Sequence, residues 1–451
     1  MSKQTTAAQS SKRPSEDLEH APIQSSPVSQ KYRIYVLVIL TLVYAFNFID
    51  RQIIGILSPL IQQDLGLDDA QMGWLKGIYF ALLYTVLGIP IAWLADRYNR
   101  VNIIAISLTI WSGFTALSGL ASNYMQLALA RAGVGIGEAG GSPPSHSIIS
   151  DLFPKDKRAS ALSIYSLGIP FGIMLAFFAT AFLIKGGSAD WRVVMLSVGL
   201  PGVALAIILK LTVKEPVRGG DNAGADLTQV PFSQALKTLL SIPSWWGMCL
   251  GISFGSFANY AIGTWIIDFY VRAHSGLDFV NLLVVMGIIN GTAYALGVWV
   301  GGVLVDKWSQ RSKKAYGLVP GLMLVIATPA FMFSLYVESL NASLALMTIV
   351  LFASGSYLGP SFALAQTLAP VKVRAMSTAL LFFVLNIIGL GGGPTFVGLL
   401  SDAFSDTHGS VEGLRLAMTW LAAPFILSIL AYFWTSRKVD QDWQNAEQRN
   451  G

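Results

Sequence analysis

A single cysteine, Cys249, and four histidines are all that the 451-residue sequence offers to soft-metal chemistry. One cysteine forms no intrachain disulfide and excludes cysteine-based zinc and iron–sulfur centres. His20, His146, His274 and His408 are too scattered to meet within one apolar run, so no metal site and no cofactor are expected. Charge is equally scarce, since Asp, Glu, Lys and Arg make up 12% of the residues where soluble domains carry about 25%. Neither G-x-x-x-x-G-K-[ST] nor H-E-x-x-H occurs, which removes two common signatures of enzyme chemistry. The first 30 residues, rich in Ser, Gln, Thr, Lys and Pro, contain no apolar run of signal-peptide type and read as a disordered tail.

What fills the space left by charge is apolar. Hydrophobic residues make up 53% of the chain and the mean hydropathy is +0.57. Six long apolar runs fall between 33 and 213 and six more between 244 and 436, each of a length that spans a hydrocarbon layer. The pattern predicts an all-α membrane protein with twelve transmembrane helices in two pseudo-symmetric six-helix bundles. The expected divisions are a cytoplasmic tail over 1–31, a first bundle over 32–213, a cytoplasmic linker over 214–243, a second bundle over 244–437 and a tail over 438–451. The linker carries the longest polar interruption, with Gly-Gly, Asp and Pro signals and a short amphipathic stretch at its end.

The net charge of +5 does not point to nucleic acid, because the basic residues are spread over short loops between runs. Lys12, Arg13, Lys31 and Arg33 precede the first run, Arg97 and Arg100 follow the second, Lys155, Lys157 and Arg158 follow the fourth, and Lys307, Arg311, Lys313 and Lys314 follow the eighth. By the positive-inside rule both termini are cytoplasmic, in a plasma or inner membrane.

The halves repeat. Ala92-Trp-Leu-Ala-Asp96-Arg97 and Gly302-Val-Leu-Val-Asp306-Lys307 lie 210 residues apart, and two Pro-x-x-x-Arg loops, from Pro154 and Pro370, lie 216 apart. Such internal repetition is typical of secondary transporters. These loops, with Arg131-x-Gly-x-Gly135-x-Gly137 in the fourth run, resemble the major facilitator superfamily; Asp96-Arg97-Tyr-Asn-Arg100, "NFIDR" (47–51) and "GIGEAGGSPP" (135–144) are similar to its Spinster-like branch. The resemblance covers about 32 to 437. It departs at Ala92 and Asn99, where the family's loop has glycines. It implies that Asp96, Arg97, Asp306 and Lys307 gate the cytoplasmic side in the outward-facing state, that Arg131 braces helices, and that substrates are of lysolipid or sphingolipid-phosphate type.

Within the same fourth run, Gly135-Ile-Gly137-Glu-Ala-Gly140 spells G-x-G-x-x-G. A dinucleotide loop requires a preceding strand and an apolar span supplies none, so the four-residue spacing of Gly133, Gly137 and Gly141 reads as close helix packing. Packing leaves Glu138 unexplained. Ionisable groups inside a span are functional candidates by default. Asp50 and Arg51 in the first run and Glu138 in the fourth fall at about the same depth, roughly 20 Å from the outer end at 1.5 Å per residue.

Neighbouring residues on a helix diverge, so Asp50 and Arg51 cannot both face a central cavity. Arg51 is assigned to the cavity, where its planar fork suits a carboxylate or phosphate, with Glu138 as its removable partner and Asn47 and Tyr44 in the polar and aromatic lining. Asp50 would turn to a nearby helix, toward Arg131. Glu138 and Asp50 are the candidates for proton coupling. The competing reading is a permanent buried ion pair that holds two helices together.

Other residues were weighed for smaller parts. Lys76 can snorkel outward, Asp268 and Arg272 suit a solvated rim or outer gate, and His146 suits a polar cap. Tyr79, Tyr84, Trp265 and Tyr357 could line an amphiphile cavity or serve as packing. Gly168-Ile-Pro170-Phe-Gly172 and Gly389 to Gly393 with Pro394 mark bending points. The expected function is a secondary transporter, not an enzyme, that moves an amphiphilic organic anion with proton coupling. Its partners are that substrate, protons and membrane lipids but no nucleic acid, and one chain with two halves is expected to work as a monomer. The alternatives are a proton-coupled carrier of small organic anions or drugs, and a non-transporting receptor of the same fold.

Overall fold

The computed structural model describes residues 29–186, 190–217, 231–370 and 373–450, and among them every regular element is helical. The first bundle contains α1 (Gln30–Ile56), α2 (Ser58–Leu65), α3 (Asp69–Lys76), α4 (Ile78–Arg97) and α5 (Arg100–Ser118). It continues with α6 (Tyr124–Glu138), α7 (Ser142–Leu152), α8 (Lys155–Ser166), α9 (Gly168–Lys185) and α10 (Trp191–Thr212). After the connecting α11 (Phe232–Leu240), the second bundle contains α12 (Pro243–Ala273), α13 (Phe279–Ile289), α14 (Ala295–Ser309), α15 (Ala315–Tyr336) and α16 (Leu340–Gly355). It ends with α17 (Leu358–Leu368), α18 (Arg374–Leu385), α19 (Gly393–His408), α20 (Ser410–Thr419) and α21 (Ala422–Asn450).

Seven of these helices start where a short polar side chain meets an apolar run. Asn123, Asp278 and Ser339 cap α6, α13 and α16 through their own side chains, and Asp68 with Gln71 forms a capping box on α3. Eleven stretches of the described residues are long and apolar enough to cross a membrane. The twelfth crossing is α6 with α7, interrupted at 139–141, because Pro143 and Pro144 withhold the backbone donors that would carry one helix through.

α5 packs on α10 and α6, and α1 on α9, in the first bundle, while α12 and α15 pack on α21 in the second. Both bundles present one set of helix ends to the face where α1 starts and α21 ends, here the terminal face, and the other set to the far face. The halves meet over the far half of the molecule, α3 against α19, α1 against α12, and α9 against α13. At the terminal face α7 and α8 pack on first-bundle helices, and α14, α17 and α18 on second-bundle ones.

The second bundle does not stop at 437. Hydropathy falls there, but α21 runs on to Asn450. Val439 and Ala446 are buried, Trp443 stacks on Tyr316 at 5.6 Å, and the Asp442 carboxylate accepts from the Ser244 N–H and hydroxyl at 2.8 and 2.6 Å. The expected amphipathic end of the linker is α11, which buries Ala235 and Leu239. Most of the expected N-terminal tail (1–28) and the linker's 218–230 lie outside the described residues.

Candidate substrate site

Helix rise alone predicted that Arg51 and Glu138 share a level, and the fold brings them together. Arg51 Nε donates to Glu138 Oε2 at 2.7 Å. The Glu138 side chain is fully buried and that of Arg51 is 10% exposed. Glu138 is the last residue of α6, so the break in that crossing places a carboxylate at a free helix end. The guanidinium also lies over three aromatic rings, Tyr84 at 4.6 Å, Phe48 at 5.1 Å and Phe80 at 5.3 Å. A cation held by one carboxylate and aromatic faces is stabilised without being saturated. Its remaining N–H groups suit an incoming oxyanion.

Asn47, one turn before Arg51, is 2% exposed and lies beside Glu138, so it borders the ion pair more than open space. Tyr44 stacks on Tyr165 at 4.4 Å and meets Phe48 edge-on at 5.2 Å. Tyr260, on α12 of the opposite bundle, reaches the neighbourhood of Arg51. The sequence reading did not single it out. Its signal was available as the fourth-residue spacing of Tyr260, Thr264, Asp268 and Arg272 along one face of a span.

Asp50 points away from the pair, as helical geometry requires, but its expected partner differs. Arg131 Nη1 donates to the backbone carbonyl of Asp50 at 3.2 Å, not to its carboxylate. The fully buried carboxylate has no hydrogen-bond partner among the described residues. It faces Trp111 and Thr115 of α5, whose polar atoms are unpartnered as well. Arg131 therefore ties α6 to the α1 backbone without engaging the Asp50 carboxylate.

The glycines around Glu138 do what their spacing implied. A Cβ on Gly133 or Gly141 would meet the Phe114 or Trp111 ring, and one on Gly137 would lie 2.5 Å from the Trp111 N. All three press α6 and its extension on α5. A G-x-S-x-G spelled by Gly251-Ile-Ser253-Phe-Gly255 is likewise a helix interior, with the Ser253 hydroxyl donating to the Cys249 carbonyl at 2.7 Å. It offers no exposed nucleophile.

At the far face, two expectations are overturned. Lys76 does not snorkel: its side chain is fully buried and Nζ lies 2.7 Å from Asp268 Oδ2 and 3.5 Å from the Trp265 ring centre. Of the solvated rim and the outer gate expected of Asp268 and Arg272, only the rim fails, because both residues pair across to the opposing bundle. Arg272 grips Asp69 with two N–H groups, at 2.5 and 2.7 Å. Ser401 donates to the same carboxylate at 2.6 Å, and Gln62 joins both residues. Between these pairs and Arg51, a Cβ on Gly55 would come within 3.1 Å of the Thr264 Cα. One face of α12 thus closes on the first bundle rung by rung.

The terminal face shows the opposite condition. Arg97 is exposed and lies over the ring of its own-helix neighbour Trp93 at 3.8 Å. Asp306 and Lys307 are exposed, and neither forms an ion pair among the described residues. The Asp96 side chain lies outside those described. Among the described residues, Arg97, Asp306 and Lys307 make none of the contacts implied for the outward-facing state.

Of the aromatics considered for an amphiphile cavity, Tyr84 alone lies on Arg51. Tyr79 shares a hydroxyl contact with Tyr124 at 3.2 Å, Trp265 donates to the Pro394 carbonyl at 2.9 Å, and Tyr357 is buried beside Tyr432. The exposed edge of His146 rests on Tyr165. A hollow of about 290 Å³ lined by Leu277, Asn281, Leu340 and Thr348 contains none of the expected site residues. Both sets of helix breakers interrupt their spans: Gly168 starts a new helix after Ser166 and seats against Thr41 and Tyr44 of α1. Residues Asn386–Gly392 form a π-helical turn ahead of Pro394.

Residues 40–394 match the model of the Major Facilitator Superfamily. The chain is similar to a bacterial homolog of the human lysosomal transporter Spinster, solved in an inward-facing and unoccupied conformation. The TM-score is 0.83 at 32% identity, over 92% of this chain and 99% of that one. It is 29% identical to an MFS-type efflux pump of Mycolicibacterium smegmatis, over 90% of this chain and 92% of the relative. It is 27% identical to the sphingosine-1-phosphate transporter SPNS2 of Danio rerio, over 86% and 80% respectively.

Proposed function

Because the chain belongs to the major facilitator superfamily and to its Spinster-like branch, and is therefore a membrane transporter and not an enzyme, we propose that it moves an amphiphilic organic anion by proton-coupled alternating access. The substrate class is a lysolipid or a phosphorylated long-chain base. The observation that carries this reading is the Arg51–Glu138 pair, buried at the junction of α1 and α6 and walled by Phe48, Phe80 and Tyr84. A planar cation with unused donors takes a phosphate or carboxylate, and the aromatic wall accepts the first part of an alkyl chain.

The anionic head displaces Glu138 from Arg51. A buried carboxylate left without its cation loses several kcal/mol of compensation, and a proton removes that cost. Substrate and proton then bind together, the head group on Arg51 and the proton on Glu138, with Asp50, next to Arg51 on the same helix and unpartnered, as a second proton holder. The arginine-rich terminal face is cytoplasmic by the positive-inside rule. The present state, zipped along α12 and open between Arg97 and Lys307, is the inward-facing one, and those gate residues with Asp96 and Asp306 come together when the far face opens. A relative named for sphingosine-1-phosphate transport supports the substrate class, and a relative named as an efflux pump supports the second reading, a carrier of small organic anions or drugs.

Counterflow with purified protein in liposomes separates the two. Exchange of a lysolipid phosphate that water-soluble anions do not compete supports the amphiphile. Exchange of soluble anions alone supports the second reading. Indifference of either exchange to Arg51→Ala removes the site.

A further inference from the structure

Four charges from the two bundles meet on the far half of the molecule: Asp69 and Lys76 on α3, Asp268 and Arg272 on α12. Their spacings differ in a way that matters once the bundles part. Asp268 and Arg272 are four apart on one continuous helix and already lie in each other's field, so they pair along α12 when their partners leave. Asp69 keeps the Gln62 side-chain amide, which it holds at 2.7 Å from within its own bundle. Lys76 keeps only the field of Asp69, two turns back on its own helix, and makes no hydrogen bond to it among the described residues. Both groups that hold its ammonium, Asp268 and the Trp265 ring, sit on α12 and depart with it.

Lys76 is also the deepest of the four. It lies four residues before Phe80, whose ring touches the Arg51 guanidinium, or about one helical turn, ~6 Å, farther out. Opening the far face therefore leaves a bare ammonium on the first-bundle wall just outside Arg51. Asp268 is imperfectly satisfied even when closed, since its Oδ1 has no hydrogen-bond partner among the described residues.

We propose that Lys76 is a second anion site, formed only when the far face is open, that takes the oxyanion head group of the amphiphile on from Arg51. The proposal rests on the anionic-substrate reading above. Arg51 and Lys76 then form two steps of one path. The Lys76–Asp268 pair closes the outer step whenever no head group stands on it.

Equilibrium binding of radiolabelled dodecyl phosphate to the purified full chain tests this with paired variants. Asp268→Asn frees Lys76 and weakens the seam, so binding tightens about tenfold, the order of one charge-assisted hydrogen bond. Adding Lys76→Met abolishes the gain, and adding Lys76→Arg retains it. The double Asp268→Asn/Lys76→Met replaces an ion pair by neutral groups of similar size, so it keeps the fold where a single lysine deletion strands a buried carboxylate. Equal binding by Asp268→Asn and Asp268→Asn/Lys76→Met overturns the proposal. An Arg51→Ala protein that binds as tightly as the native chain contradicts the Arg51 reading instead, because Lys76 is scored only from the difference between the Asp268 variants.

Discussion

Arg51 makes one short bond to Glu138 and otherwise rests on rings, so each partner can be removed with a distinct result. Arg51→Ala takes away the head-group cation and leaves Glu138 buried alone. Substrate affinity is expected to fall about 10- to 100-fold, from a charge-assisted bond worth about 1.5–3 kcal/mol. Glu138→Gln keeps shape and removes the exchangeable proton. Downhill exchange should persist while dependence on an imposed proton gradient disappears, and a gradient response equal to that of the native chain rules Glu138 out as the coupling group. Asp50 behaves differently again, because Arg131 holds its carbonyl and not its carboxylate. Asp50→Asn should therefore change thermal stability by less than about 1 kcal/mol, while Arg131→Ala, which opens a cavity and removes the tie between α6 and α1, costs more than about 2. Unfolding midpoints in the same detergent decide it, and equal losses would mean that the Asp50 carboxylate is a brace after all.

Helix depth was enough to read the Arg51–Glu138 meeting from sequence, because rise per residue fixes level. It could not place Lys76 or the Asp50 carboxylate. Whether Lys76 snorkels or pairs depends on what the opposite bundle brings to it, and Asp268 is 192 residues away. No periodicity within one span reports that.

Among the elements, glycine decides how closely helices approach. Within the first bundle, Gly137→Ala would set a methyl 2.5 Å from the Trp111 N, an overpacking of about 1–3 kcal/mol that should show as a lowered unfolding midpoint. Between bundles the same change has another effect. A Cβ on Gly398 of α19 would come within 2.8 Å of the Gly73 Cα of α3, and these helices can separate by the motion that opens the far face. Gly398→Ala should leave the fold intact and favour the open far face. In a Cys249→Ser background, Ser401→Cys, buried in this seam, should react severalfold faster with an impermeant thiol reagent when Gly398→Ala is added; an unchanged rate contradicts the seam as the moving boundary. The breaks at 167 and 386–392 were visible as Pro and Gly clusters, whereas the one at 139–141 fell in a stretch that read as close packing within one span. The end of α21 was not, because beyond 437 its buried face is carried by Val439, Trp443 and Ala446 on an otherwise polar helix.

The whole molecule is two six-helix bundles joined over the far half, α3 on α19, α9 on α13 and α1 on α12, and apart at the terminal face. That architecture was largely legible, since apolar run length, a repeat near 210 residues and loop charge are properties of the chain alone. The state was not legible. Nothing in the sequence says which face is zipped, and the present face is closed by contacts between residues far apart in the chain, such as Asp69 with Arg272 and Lys76 with Asp268. In the mechanism proposed here transport needs both states, and the Arg51–Glu138 pair is the point that both faces would share. The most direct measurement is uptake of a lysolipid phosphate into proteoliposomes across an imposed proton gradient, with native, Arg51→Ala and Glu138→Gln chains side by side. Gradient-driven uptake by the native chain, none by Arg51→Ala, and gradient-independent exchange by Glu138→Gln is the expected result; native uptake in both variants would show that the buried pair only holds α1 to α6.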